Sequence, residues 1–241
     1  TLNDFNVDGI LTSGMGNLTS EHGLRFYKNE AEDIYYYESG KEGLWKDLQV
    51  TNLDLGALSG NDMLGKTTGY LSIGKGSKGL SLDEMDIRFK GQFKELGLND
   101  YAYHNINVRN GRFRNEVFDG EIKIDDDNLA LVYDGSVDLK GKMKFDFEVG
   151  IDTAVISKLF LGSNDLVEVV KSKIKVDMAG TSLDDLEGVL VVEDLSYTTD
   201  SLDFDLENLE VLIKKDEASD SITVTSELVD IRLTGKYDLL D

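Results

Sequence analysis

Residues 118–151 decide the fold, and they read FDGEIKIDDDNLALVYDGSVDLKGKMKFDFEVGI. Ile122 and Ile124 alternate with polar neighbours, and after a polar corner at 125–128 apolar side chains fill most odd positions as far as Ile151. A period of two is typical of β-strands that have one apolar face and one hydrated face. The polar corner and the Lys-Gly pair at 140–141 predict turns between antiparallel strands.

The apolar face of these predicted strands is long. Residues 129–139 alone would span roughly 36 Å at about 3.3 Å per residue, which exceeds the usual strand length. Seventeen apolar residues keep one parity within each predicted strand, and we expect them to line a single concave surface. They are Ile122, Ile124, Leu129, Leu131, Tyr133, Val137, Leu139, Met143, Phe145, Phe147, Val149, Ile174, Val176, Met178, Val224, Ile231 and Leu233.

Composition restricts the partners that the chain can have. Its 241 residues include 25 Lys and Arg against 47 Asp and Glu, which gives a net charge of −22. So acidic a chain argues against nucleic acid as a partner and against attachment to an anionic membrane by charge. The absence of cysteine excludes a disulfide framework and a thiol catalyst, and it is compatible with a periplasmic location.

The ends and the glycines suggest part of a larger β protein. The chain contains no apolar run of about 18 residues, it opens without a signal peptide, and it begins in strand-like sequence. We therefore expect a piece of a longer protein. Proline is absent, so the 24 glycines are expected to form the turns and bends.

An internal repeat is predicted from matching segments about 100 residues apart. GLSLDEM at 79–85 aligns with GTSLDDL at 180–186, and a short helix predicted at 54–58 has a counterpart within 152–161. Ser81 and Ser182 are expected to cap short helices. This organisation makes 1–53 the back part of a preceding unit, 54–151 a unit with a following hairpin strand, and 152–241 a second unit.

Two motifs resemble ligand-binding loops, but both are better explained as turns. Residues 74–79 read GKGSKG, a literal G-x-G-x-x-G, yet the following segment alternates as a strand instead of continuing as the helix that a dinucleotide site needs. We therefore predict a glycine-rich hairpin. The acidic corner at 125–128 lacks the central glycine and terminal glutamate of an EF-hand loop.

The sequence predicts no catalytic, cofactor or metal site. Only two histidines, His22 and His104, are present, and neither belongs to a nucleophile-elbow motif. No pair of carboxylates lies in a pocket that is recognisable from sequence. We therefore expect a protein that is not an enzyme.

Ordered motifs along nearly the whole chain resemble the TamB family. TamB proteins are the inner-membrane-anchored subunits of the translocation and assembly module and belong to the AsmA-like proteins. One departure is Asp126, where the family pattern would have proline. The motifs are GMGNL at 14–18, DLGAL at 54–58, GLSL at 79–82, YAYHNINV at 101–108, GRF at 111–113, FDG at 118–120, IDDDNL at 124–129, YDG at 133–135, VDL at 137–139, GTSLDDLEG at 180–188, SEL at 226–228 and LTGKY at 233–237.

The resemblance implies a mainly β fold in which long antiparallel strands curl into an open, U-shaped trough (a β-taco or β-groove) with short helices between repeated units. It also implies a periplasmic protein that moves phospholipid between the two membranes, is linked to outer-membrane protein assembly, and has an outer-membrane partner of the TamA type.

Three functions remain open at this point. The first is a segment of a periplasmic lipid conduit that binds acyl chains on the apolar floor without a head-group pocket. The second is a scaffold that templates outer-membrane β-strands on a free sheet edge. The third is a non-catalytic, adhesin-like β-solenoid with a dry, closed interior.

Overall fold

The computed structural model describes residues 4–29, 34–39, 48–60, 62–79, 85–159, 168–182, 185–216 and 219–235. The chain divides into two compact units, Thr1–Asp127 and Asn128–Asp241. Both units are built from antiparallel strands, as predicted, and the described residues contain sixteen strands and one short helix. No helix in these ranges is long and apolar enough to cross a membrane.

Unit 1 contains the first nine strands and the helix. They are β1 (Asp4–Ser13), β2 (Gly16–Asn29), β3 (Ile34–Ser39), β4 (Leu48–Asp54), α1 (Leu55–Ser59), β5 (Leu64–Ile73), β6 (Ser77–Lys78), β7 (Asp86–Leu98), β8 (Tyr101–Arg114) and β9 (Val117–Asp126). The predicted helical turn at 54–58 corresponds to α1. Asp54 is its N-cap and accepts the Ala57 N–H at 2.9 Å, and Gly60 ends the helix in the left-handed conformation.

Two strand positions in unit 1 are each occupied by two consecutive pieces. β3 and β4 both pair with β2, and β5 and β6 both pair with β7. On their other sides β4 pairs with β5 and β3 pairs with β6. The spatial order is therefore β1, β2, β4 with β3, β5 with β6, β7, β8 and β9, which is an open meander.

The glycine-rich segment 74–79 is not the hairpin that we predicted. It is a small loop within one strand position, because Ile73 pairs with Phe89 before the loop and Lys78 pairs with Asp86 after it. The Ser77 hydroxyl donates to the Gly74 carbonyl at 2.8 Å and closes the loop. Gly76 has a φ of 84° that other residues rarely adopt, so glycine allows the loop to form and the strand to resume its pairing with β7 after a register shift of two residues.

Asparagine and aspartate form the turns and bulges of unit 1. Asn99 and Asp100, between β7 and β8, both have positive φ angles, which is the pattern of a type I′ hairpin turn. Asn52 and Asn110 also have positive φ angles and lie at register shifts in β4 and β8. Short polar side chains tolerate this conformation, so these residues mark the bulges.

Unit 2 is a strict antiparallel meander in which each strand pairs with the next. The polar corner and the Lys-Gly turn predicted from sequence lie between strands, at 127–128 and 139–142. The strands are β10 (Leu129–Asp138), β11 (Met143–Val155), β12 (Val169–Gly180), β13 (Glu187–Thr198), β14 (Asp203–Lys214), β15 (Asp220–Ser226) and β16 (Asp230–Gly235).

The helices predicted in unit 2 are not found in its described residues. β11 continues to Val155 and is followed by a hydrogen-bonded turn in which the Leu159 N–H donates to the Val155 carbonyl at 3.2 Å. Ser182 lies in a bend, where its N–H donates to Asp185 Oδ1 at 2.6 Å. Ser81 lies outside the described residues. The repeated units and the trough remain predictions.

Candidate functional site

Unit 2 has an apolar face made of three rows of side chains that run across its strands. Directly paired residues of neighbouring antiparallel strands lie on the same face, so the register identifies the members of each row. We call them the apolar rows of unit 2. They are Tyr133–Val149–Ile174–Val192–Leu209–Ser226, Gly135–Phe147–Val176–Leu190–Val211–Val224–Ile231 and Val137–Phe145–Met178–Gly188–Ile213–Ile222–Leu233.

Most of the row residues are only half-buried. Ile213 is buried, whereas Ile231 and Leu233 are 46% and 55% exposed and the other apolar members are intermediate. Every described strand of unit 2 belongs to one sheet, so no second layer from this unit's described residues covers the rows. The inner face of a β-sandwich, by contrast, is fully packed.

Unit 1 has two comparable rows, and they contain Ile122 and Ile124 from the predicted lining. Both rows cross seven strands, and Val50, Ile106 and Val108 are buried within them. We call them the apolar rows of unit 1. They are Leu11–Leu18–Val50–Gly69–Phe93–Ile106–Ile124 and Gly9–Ser20–Leu48–Leu71–Gly91–Val108–Ile122.

The predicted lining residues of unit 2 fall on its apolar face, with the exception of Leu139. Leu131 pairs with Ile151 beside the first row, and Leu129 lies beyond a bulge, where it is buried against Ala154. Met143 pairs with Gly180 at the end of the sheet. Leu139 follows the end of β10 and is 57% exposed. Register thus brings these residues together, and their contact with lipid remains a prediction.

Charged residues occupy the opposite face of unit 2. Lys175 donates to both carboxylate oxygens of Glu193, at 3.2 and 3.0 Å, and this hydrogen bonding raises the pKa of the lysine. Lys142 pairs with Glu187 at 2.7 Å. One face of the sheet is therefore apolar, whereas the opposite face is mainly charged and polar, with Val132, Val189, Val191 and Leu212 among its residues.

A buried carboxylate in unit 1, that of Asp126, was not predicted from the sequence, which placed this residue in a polar turn. Its side chain is 1% exposed. It accepts hydrogen bonds from the Tyr101 hydroxyl and the His104 N–H, and its Oδ2 lies 2.9 Å from His104 Nδ1. Desolvation, and then the charge of Asp126, raise the pKa of Tyr103. These contacts tie the end of β9 to the start of β8.

A group of basic side chains on β7 and β8 was also missed. It consists of Arg88, Lys90, Arg112 and Arg114, and we call it the basic patch. Arg112 donates to Asp86 through Nε and Nη2 at 2.8 and 2.7 Å. This hydrogen bonding, with the charges of the three arginines, lowers the pKa of Asp86. The sequence signal was the alternate spacing of basic residues at 88, 90, 112 and 114.

No group of side chains within the described ranges could hold a metal ion. The apolar rows are therefore the most extensive candidate binding surface, and their chemistry suits hydrocarbon. No protein-family model, curated protein or solved structure matches the chain.

Proposed function

We propose that the chain is a segment of a periplasmic, bridge-like protein of the TamB type, whose apolar faces carry phospholipid acyl chains between the inner and outer membranes. The observation that carries the proposal is the set of apolar rows of unit 2, which cross six or seven strands and remain largely half-buried. A surface of this kind needs an apolar occupant, because exposed hydrocarbon is unfavourable in water.

The dimensions of the rows suit acyl chains. Six steps between seven strands, at about 4.8 Å each, give a path of roughly 29 Å. One bilayer leaflet has a hydrocarbon depth of roughly 15 Å. A lipid tail can therefore lie along a row, and each methylene removed from water contributes about 0.8 kcal/mol.

The rows also favour movement over tight retention. They contain no charged residue, so they offer no cationic partner for a phosphate and the head group remains in water. Contacts between aliphatic side chains and a tail are non-directional, so a shift of the tail along a row exchanges equivalent contacts. Such a protein is not an enzyme, and an outer-membrane partner of the TamA type would receive the lipid.

Native mass spectrometry of the purified chain tests this proposal. We expect masses that correspond to bound phospholipid. Leu131→Lys and Phe147→Asp place a charge on the apolar face, which costs several kcal/mol against a lipid tail, so both variants should lose the lipid. Asp134→Lys is the control, because Asp134 pairs with Glu148 on the charged face. Absence of lipid from the parent chain, or equal lipid in the variants, would contradict the proposal.

A scaffold for outer-membrane β-strands is the second candidate, and β16 favours it. Among the described residues, β16 pairs only with β15, and Ile231 and Leu233 are exposed. An amphipathic strand added to this edge would extend the sheet. Protection of β16 amides from hydrogen exchange by a peptide of alternating apolar and polar residues would support the scaffold. Bound lipid without protection of these amides would contradict the scaffold and support the lipid conduit.

A further inference from the structure

The basic patch carries an inference that does not depend on the lipid proposal. Arg88 pairs directly with Arg112, and Asp86 pairs directly with Arg114, across β7 and β8. The patch lies on the face opposite the apolar rows of unit 1, because the alternate residues of β7, Phe89 and Phe93, belong to the other face. Direct pairing of two arginines places like charges side by side, which is destabilising in the absence of an anion.

One internal carboxylate compensates only part of this charge. Asp86 takes two hydrogen bonds from Arg112 and thereby fixes its guanidinium. Arg88, Lys90 and Arg114 are exposed, and none of them forms an ion pair within the described residues. The guanidinium of Arg88 donates to the Lys75 carbonyl at 3.5 Å, while its backbone N–H donates to Ser77 Oγ at 3.1 Å.

The acidic neighbours of the patch within the described residues, Asp119 and Glu121, do not neutralise it. Hydrogen bonding to Asp86, and to a smaller extent the charge of Asp119, raise the pKa of Arg112, with which Asp119 pairs across β8 and β9. Glu121 is occupied by Arg109 at 3.3 Å. A positive surface therefore persists on a chain whose net charge is −22.

We propose that the basic patch binds a phosphate group. Guanidinium groups present planar forks of N–H donors that match phosphate oxygens, and side chains from two strands approach a tetrahedral anion from different directions. Asp86 acts as a positioning residue that holds one of the forks. A bound phosphate also offsets the repulsion between Arg88 and Arg112.

Titration of the isotope-labelled chain with inorganic phosphate at constant ionic strength tests the site by nuclear magnetic resonance. We expect saturable shifts of the amides at 86–90 and 111–114. Arg88→Gln with Arg114→Gln should weaken binding about tenfold or more, since each arginine lost removes a charge-assisted hydrogen bond to the phosphate. Lys144→Gln with Arg232→Gln removes the same charge from exposed positions of unit 2 and should leave the affinity unchanged. Equal weakening in both double variants, or no saturable shifts, would overturn the proposal.

Vesicles distinguish the sources of the phosphate. Sedimentation with vesicles of phosphatidylglycerol in phosphatidylcholine, lost in Arg88→Gln with Arg114→Gln, would assign the phosphate to a lipid head group. Saturable binding of inorganic phosphate without vesicle binding would assign it to a soluble phosphate compound. Failure of both experiments overturns the phosphate site and leaves the lipid proposal intact, because that proposal rests on the apolar rows of unit 2.

Discussion

Gly135 lies directly opposite Phe147 in the pairing of β10 with β11, and a Cβ atom added at position 135 would lie only 2.6 Å from the Cβ of Phe147. Gly135 also has a φ of 146°, which side chains rarely adopt. The ring of Phe147 lies 5.4 Å from that of Tyr133 in the neighbouring row. Glycine here lets two strands approach closely and gives the aromatic ring its place on the apolar face.

Gly135→Ala should destabilise the chain by about 3 kcal/mol, because it combines overpacking with a strained backbone. Urea unfolding measures the change. Gly150→Ala is the matched control, since a Cβ at position 150 meets nothing within 4 Å. That control should be neutral or slightly stabilising. Equal unfolding midpoints for the two variants would contradict the assigned role of Gly135.

The alternation of apolar and polar residues predicted much of the apolar face of unit 2, because successive side chains of a strand lie on opposite faces except at bulges. Phe145, Phe147 and Val149 fall on one face of β11 as the period of two requires. The turn at Asn99–Asp100 follows from local chemistry, yet the sequence analysis did not identify it. The predicted glycine hairpin at 74–79 was wrong because loops that interrupt a strand and loops that reverse it use the same residues.

Asp126→Ala should cost about 2 to 3 kcal/mol of unfolding free energy, because the Tyr101 hydroxyl and the His104 N–H would lose their buried acceptor. Asp125→Ala removes the exposed neighbouring carboxylate and should change stability little. Chemical denaturation compares the two variants. If Asp126→Ala were as stable as Asp125→Ala, the buried contacts would contribute nothing to the stability of unit 1.

The burial of Asp126 could not be predicted from its position in an acidic run. Asp125, Asp126 and Asp127 are chemically identical in sequence, and the partner groups at 101 and 104 lie on another strand. Register decides which carboxylate points inward. Asn105, the residue after His104, has a positive φ angle, which likewise depends on the pairing of β8 with β9.

Asp86→Asn should destabilise the chain at pH 7 by about 1 to 2 kcal/mol, because Arg112 would lose a charged acceptor. The pKa of Asp86 is lower in the folded chain than its unfolded value of about 3.9. Its stabilisation is therefore complete above that unfolded value and is lost as pH falls through the lower folded value. The stability gap between parent and variant should shrink from pH 7 to pH 3. A gap that stays constant would show that the pair with Arg112 does not govern this acid sensitivity.

Site-specific photo-crosslinking on β12 tests whether phospholipid lies on the apolar rows of unit 2. Val176 and Asp177 are neighbours on one strand, but Val176 pairs with Phe147 and Leu190 in an apolar row, whereas Asp177 pairs with Asp146 and Val189 on the opposite face. A photoreactive phenylalanine analogue is placed at either position in living cells, and attached lipid is detected by mass spectrometry. We expect phospholipid attached at position 176 and none at position 177. No lipid at 176, or equal lipid at both positions, would contradict it.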